Sequence, residues 1–194
     1  TTNKCNLMIS DYRCFFCLAR SFEELLEKES IPAEEKNNAV LDMTDLYKEY
    51  QKKNLSPEFT RDLQRILKGY TNNPDPYKTV KRESNSHAIK LLPEMEGKIW
   101  QSPDPFNTAL RLAIAGNVID FAASQDFNLE NTISKCLNTD FAIDHSEQLK
   151  RAVNNSDSIL YLGDNAGEIV FDKLFIRNMN HKNVIYAVRG MPVI

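Results

Sequence analysis

No stretch of this 194-residue chain approaches the ~20 consecutive apolar residues that a membrane-spanning helix requires. Its first residues, Thr1-Thr2-Asn3-Lys4, lack the apolar core of a secretory signal, so the expected compartment is the cytoplasm. Neither sign of charge dominates: 24 Lys and Arg against 27 Asp and Glu leave a net charge of -3, with no electrostatic ground for nucleic acid as a partner. Histidine is scarce, and His87, His145 and His181 share no ligand spacing, which argues against a histidine nucleophile or zinc centre. Four cysteines, at 5, 14, 17 and 136, make no disulfide framework for a chain of this size. Also missing are the G-x-S-x-G elbow, the G-x-x-x-x-G-K-[ST] phosphate loop and the G-x-G-x-x-G dinucleotide fingerprint. With 42% hydrophobic and 26% charged residues, the composition is that of an ordinary globular protein.

What is present concentrates in Ile159-Leu160-Tyr161-Leu162-Gly163-Asp164-Asn165-Ala166-Gly167-Glu168. The short apolar run predicts a buried strand that ends in Asp-Asn. Ile169, Phe171, Leu174 and Phe175 then fall on one face of a helix. A carboxylate and an amide oxygen thus sit at a strand's carboxyl end beside a helix N-terminus, where open α/β sheets bind ligands and where anions are favoured. Adjacent hard oxygens suit Mg²⁺ or Mn²⁺, and those ions suit phosphate. The competing reading is a turn that only caps the helix.

The first hundred residues read as helices, a bundle or a cap. Phe15, Leu18, Phe22 and Leu25/Leu26 mark one amphipathic face; Val40, Met43, Leu46/Tyr47 and Tyr50 mark a second. Ser56-Pro57-Glu58 starts a third helix with the face Phe59, Leu63, Ile66/Leu67 and Tyr70, and Asn72-Asn73-Pro74 stops it. A fourth runs from about Tyr77 to Ile99, with Pro93 expected to kink or break it. Asp104-Pro105 opens a long apolar helix, Asn128 to Leu137 a short one, and Asp144-His145-Ser146-Glu147 reads as a capping box. Strands appear only at Ile159–Leu162 and Val184–Val188, and with the helix between them they make one βαβ unit. The expected organisation is a helical N-terminal region over 1–100. Residues 101–194 then hold a helical linker and the start of an α/β core that continues past Ile194.

A second constellation is Gly116-Asn117-Val118-Ile119-Asp120 within the apolar helix. Asn117 and Asp120 are three apart and share a face, and both are poor helix-interior residues. Gly116 costs ~1 kcal/mol relative to alanine and lets a backbone or ligand approach. Three unfavourable choices in five residues point to a site, against the alternative of a satisfied structural pair. Glu168 is a candidate general base, or simply a favourable first-turn charge. Arg111 is a candidate phosphate contact, while Asp172, Lys173 and Arg177 read as a solvated face. Cys14-Phe15-Phe16-Cys17 has zinc-type spacing without a second pair, so buried or incidental thiols compete with metal binding there.

Taken with Asn73-Pro74-Asp75-Pro76-Tyr77 and Val188-Arg189-Gly190-Met191-Pro192-Val193-Ile194, these motifs resemble the DUF89 family of metal-dependent damage-control phosphatases, its stand-alone archaeal and bacterial branch. The resemblance runs through essentially the whole chain in order. It implies a helical region packed on a Rossmann-like three-layer α/β core. It also implies hydrolysis of phosphate monoesters of small metabolites such as sugar phosphates, with Mn²⁺, Co²⁺, Ni²⁺ or Mg²⁺. The family's metal-binding pair falls on Asp164 and Asn165, its cleft residues on Asn117 and Asp120, and its acidic residue on Glu168. Gly167 and Arg111 are further candidate substrate contacts from their place in the chain alone, with solvent exposure the alternative for Arg111. A third metal ligand and a phosphate-contacting lysine are expected beyond Ile194. Two other functions stay open: a carboxyl methyltransferase using S-adenosylmethionine, and a non-catalytic helical module with metal on Cys5, Cys14 and Cys17. The substrate, the metal used in the cell and the oligomeric state are not legible.

Overall fold

A computed structural model describes residues 12–50, 57–120 and 129–190, save the side chains of 57, 118–120, 129, 130 and 132. The helices are α1 (Tyr12–Lys28), α2 (Ala33–Tyr50), α3 (Pro57–Thr71), α4 (Lys78–Trp100), α5 (Pro105–Asp120), α6 (Leu129–Asn138) and α7 (Ser146–Asn155). Strand β1 (Ile159–Leu162), helix α8 (Glu168–Met179) and strand β2 (Val184–Ala187) follow. The architecture is mostly helical with one small parallel sheet, and among the described residues no helix is long and apolar enough to cross a membrane.

The described residues group into two compact units, one reaching to Tyr77 and one from Lys78 to Arg189. In the first, α1, α2 and α3 bury the faces expected from their spacing: Phe22, Leu25 and Leu26 meet Met43, Phe59, Leu63 and Leu67. Val40 is an exception and stays 44% exposed, with Ala39 taking the inward position. Ser56, the expected cap of α3, lies outside the described residues. The stop of α3 is as its residues dictate. Asn72 takes a left-handed φ of 52°, and the Asn73 side chain accepts the Asp75 N–H at 3.1 Å, a local turn that competes with helix. Cys14 and Cys17 sit on α1 and face solvent, so these thiols are not buried, and Cys5 lies outside the described residues.

The second unit has its own core. Met95 and Ile99 of α4, Phe106 and Leu112 of α5, Ile133 of α6 and Phe171, Leu174 and Phe175 of α8 pack together. The first hundred residues therefore divide between two cores, with α4 in the later one. Pro93 does not break α4. It lies on the exposed side of the helix, as does Ile89 four residues earlier, whose carbonyl a proline cannot pair. Trp100, at the end of that helix, is 92% exposed. The Asp104-Pro105 start holds as expected, with Asp104 Oδ1 accepting the Asn107 N–H at 3.2 Å. Asp144 accepts the Ser146 N–H at 2.9 Å ahead of α7, which holds its carboxyl below the usual range.

Strands β1 and β2 pair in parallel with Tyr161 opposite Tyr186, and α8 links them. The expected burial of β1 needs correction. Ile159 and Tyr161 pack on the core, but Leu160 and Leu162 face solvent at 63% and 72% exposure. An apolar run of four residues does not reveal which faces of its sheet are covered.

Candidate functional site

The turn from β1 into α8 is built by two glycines. Gly163 leaves the strand where an added Cβ would run into the Tyr186 hydroxyl. Gly167 adopts a φ of 83°, a left-handed conformation that side-chain-bearing residues disfavour, and a Cβ there would also lie 3.3 Å from Ser84. Between them stand Asp164 and Asn165. Asp164 is exposed and accepts a hydrogen bond from Arg189 at 2.7 Å on Oδ1, while the Asn165 amide lies 3.4 Å from its other oxygen. Arg189 comes from the end of β2, so both strands supply the rim.

Glu168 opens α8 and turns inward, leaving only 8% of its surface exposed. Asn117 of α5 donates its Nδ2–H to Oε1 at 3.1 Å, and the Asn165 backbone also hydrogen-bonds the carboxyl. The other oxygen, Oε2, is buried without a partner. Burial, then the negative charge of Asp172, pushes the Glu168 carboxyl above the usual carboxylate range.

One turn further on, Asp172 is 3% exposed, which overturns its expected place on a solvated face. Its oxygens accept the Tyr161 hydroxyl at 2.7 Å and the Tyr186 hydroxyl at 3.1 Å. Burial raises the Asp172 carboxyl, and burial together with Asp172 raises both tyrosines. The companions Lys173 and Arg177 are exposed as expected, with Arg177 paired to Glu96 at 3.1 Å.

A cavity of about 400 Å³ lies between α5 and α8. Asn117, Tyr161, Glu168 and Asp172 form its polar side, and Leu110, Ala113, Ile114 and Phe175 its apolar side. Gly116 makes this approach of the helices possible: a Cβ there would stand 3.0 Å from the Phe171 ring.

The structure thus brings Asp164, Asn165, Gly167, Glu168 and Asn117 together. Asp120 belongs to α5, but its side chain is outside the described residues. Arg111 is engaged elsewhere: it donates to Asn107, to the Cys136 carbonyl at 3.1 Å and to the Thr139 carbonyl at 2.5 Å, and stacks on Phe141. The Gly167 N–H donates to Asn85 Oδ1 at 2.6 Å. Asn85, Asp172, Tyr161 and Tyr186 were not legible as site residues. Asn85 is 82 residues from its partner, and the two tyrosines show nothing in sequence but strand propensity.

As for a metal, Asp164 and Asn165 are adjacent hard oxygen donors at an open rim, and Asp164 already attracts a cationic partner in Arg189. The donor set fits a hard divalent ion held partly by solvent. Among the described residues no group of three His, Cys, Asp or Glu is assembled around one point.

A family model described as the damage-control phosphatase ARMT1-like domain matches residues 10–194. A damage-control phosphatase, PH1575, of Pyrococcus horikoshii is 29% identical over 188 residues, covering 94% of this chain and 64% of that protein. An uncharacterized protein of Methanocaldococcus jannaschii is 36% identical over 138 residues, covering 67% of this chain and 45% of its own. A damage-control phosphatase of Archaeoglobus fulgidus is 32% identical over 126 residues, 62% of this chain and 43% of its own. The chain therefore spans about half to two thirds of these relatives. The crystal structure of a DUF89 family protein from Pyrococcus horikoshii superposes with a TM-score of 0.82 at 27% identity, covering 95% of this chain and 66% of that one.

Proposed function

The chain belongs to the damage-control phosphatase ARMT1-like domain family, and from that premise we propose that it carries part of the active centre of a divalent-metal-dependent phosphatase acting on small phosphorylated metabolites such as sugar phosphates. The observation that carries the reading is the β1–α8 turn, which presents Asp164 and Asn165 side by side at the positive end of α8, with Glu168 and Asn117 behind them. Asp164 and Asn165 would hold Mn²⁺, Co²⁺, Ni²⁺ or Mg²⁺. When bound, such an ion supplies charge neutralisation at a phosphoryl oxygen and lowers the pKa of bound water. The reading extends to a Rossmann-like three-layer core, of which β1, α8 and β2 are the first unit, and to a cytoplasmic setting.

The side chains divide the remaining work. Asn117 fixes the Glu168 carboxyl through Oε1, and that carboxyl, which lines the cavity, accepts a proton from the attacking water or returns one to the leaving oxygen. Burial keeps that proton exchange closer to neutrality than an exposed carboxylate would allow. Asp120, three residues past Asn117 in the sequence, is the further candidate for orienting substrate or water. Gly167 lets the turn close tightly enough for a phosphate to reach the start of α8. Arg189, paired with Asp164 at the rim, is the cation that would pair with a phosphoryl oxygen if Asp164 were occupied by an ion.

The test is phosphate release by the full-length gene product from a panel of sugar phosphates. The protein is stripped with chelator, resupplied with Mn²⁺ or Co²⁺, and compared with Asp164→Ala. Activity restored by metal and lost by a factor of at least ~10² in the variant is expected. Turnover that persists in Asp164→Ala would overturn the assignment.

A further inference from the structure

We propose that the cavity between α5 and α8 seats an organic ammonium group, so that the substrates of this site carry a cationic nitrogen as well as a phosphate. The inference rests on the phosphatase reading for the phosphate half only. Glu168 and Asp172 lie one helical turn apart on α8, 8% and 3% exposed, and both line the cavity. Their hydrogen bonds come from Asn117, the Asn165 backbone, Tyr161 and Tyr186, none of them basic. One carboxylate oxygen, Glu168 Oε2, is buried with no hydrogen-bond partner among the described residues. Among the described residues no cation faces these two buried acids, so their ionised forms are costly, and a positive group entering the cavity would offset that cost.

The shape of the cavity decides which kind of cation. Its volume of about 400 Å³ is that of a small-molecule site, far more than a bare ion fills. A metal would need further hard ligands, and no group of three acidic, His or Cys side chains forms among the described residues. The rest of the lining is apolar: Ala113 and Ile114 come from α5, and Phe175 follows the acids along α8, so a carbon skeleton has surface to rest on. The Tyr161 and Phe175 rings, 6.4 Å apart, add aromatic surface, which attracts ammonium over its faces. The arrangement of carboxylates, rings and an aliphatic wall matches an amine on a small carbon frame.

Glucosamine against glucose isolates the amine, because the two differ by that group alone. Binding measured by calorimetry to the full-length protein at neutral pH should favour glucosamine by about tenfold or more. The preference should vanish in Glu168→Gln. Should that variant fold poorly, Ile114→Lys places a tethered ammonium at the 44% exposed rim and should likewise abolish the preference. Equal binding of the two sugars, or a preference intact in both variants, overturns the proposal. So does loss of glucosamine binding to competing Mg²⁺ in Asp164→Ala protein, since that would make the cavity an inorganic site. Hydrolysis of glucosamine phosphate and glucose phosphate is followed in parallel. Metal-dependent turnover without amine preference sinks only this inference, whereas amine binding without turnover of either ester sinks the phosphatase reading and leaves the ammonium site standing.

Discussion

At the scale of single residues, the site is made by side chains that would be poor choices anywhere else. Gly116 weakens α5 but admits Phe171, whose ring is fully buried and has no room to retreat. Gly116→Ala gains about 1 kcal/mol of helix propensity and loses about 1–3 kcal/mol to overpacking. A net loss is expected, read as a fall of about 2–4 °C in melting temperature. An increase would mean that Phe171 moves freely. Arg189 and Asp164 form a half-exposed pair at 2.7 Å, worth about 0.2–1 kcal/mol. An ion binding Asp164 must displace this pair, so Arg189→Gln should tighten Mn²⁺ binding by roughly two- to fivefold in a calorimetric titration. Weaker binding would show instead that Arg189 supports the ion.

At the scale of elements, Asp172 is the point where β1, β2 and α8 are fastened together. Tyr161 and Tyr186 are register partners, stacked at 5.7 Å, and both donate to the same carboxylate from neighbouring strands. A hydrogen bond to a buried charge contributes about 1.5–3 kcal/mol. Tyr161→Phe, which removes the shorter and more buried bond, should therefore lower stability in urea more than Tyr186→Phe. The reverse order would place the anchor on β2. This lock also explains what sequence could and could not show. Helix starts at Asp104-Pro105 and the turn after Thr71 were legible, because a cap or a breaker acts on its own neighbours. Asp164, Asn165 and Glu168 were legible as one constellation and Asn117 as part of another, and only the family resemblance placed the two in one cleft. Asp172 was not. A carboxylate followed by Lys173 looks solvated until two tyrosines from elsewhere close over it. Arg111 misled for the opposite reason, since a cation is read as available until carbonyls at the end of α6 and just past it claim it.

At the scale of the molecule, a carboxylate in each compact unit responds to acid in the opposite direction to the other: Asp62 in the first and Asp172 in the second. In the first, Arg61 and Tyr50 hydrogen bonds hold Asp62 at about 2. A depressed carboxylate contributes stability above its ordinary value of 3.8, and that contribution fades as pH falls toward 2. In the second, burial raises Asp172, so the folded form binds its proton more tightly than the unfolded chain does. That stabilisation is full below the ordinary range and is lost as pH rises through the raised value. Hydrogen exchange, corrected for intrinsic rates, should show α1–α3 losing protection between about pH 4 and pH 2 while β1, α8 and β2 hold or gain it. A single common transition in both units would contradict this division.

The exposed position of Trp100 has a spectroscopic consequence. It is the sole tryptophan of the chain, and 92% of its surface already meets water in the folded state. Its emission will sit near the wavelength of the free indole before any denaturant is added, so unfolding followed by tryptophan fluorescence will look nearly silent while helical circular dichroism collapses. The same silence makes the indole a clean optical reporter: a blue shift on mixing signals that something has come to rest on the end of α4.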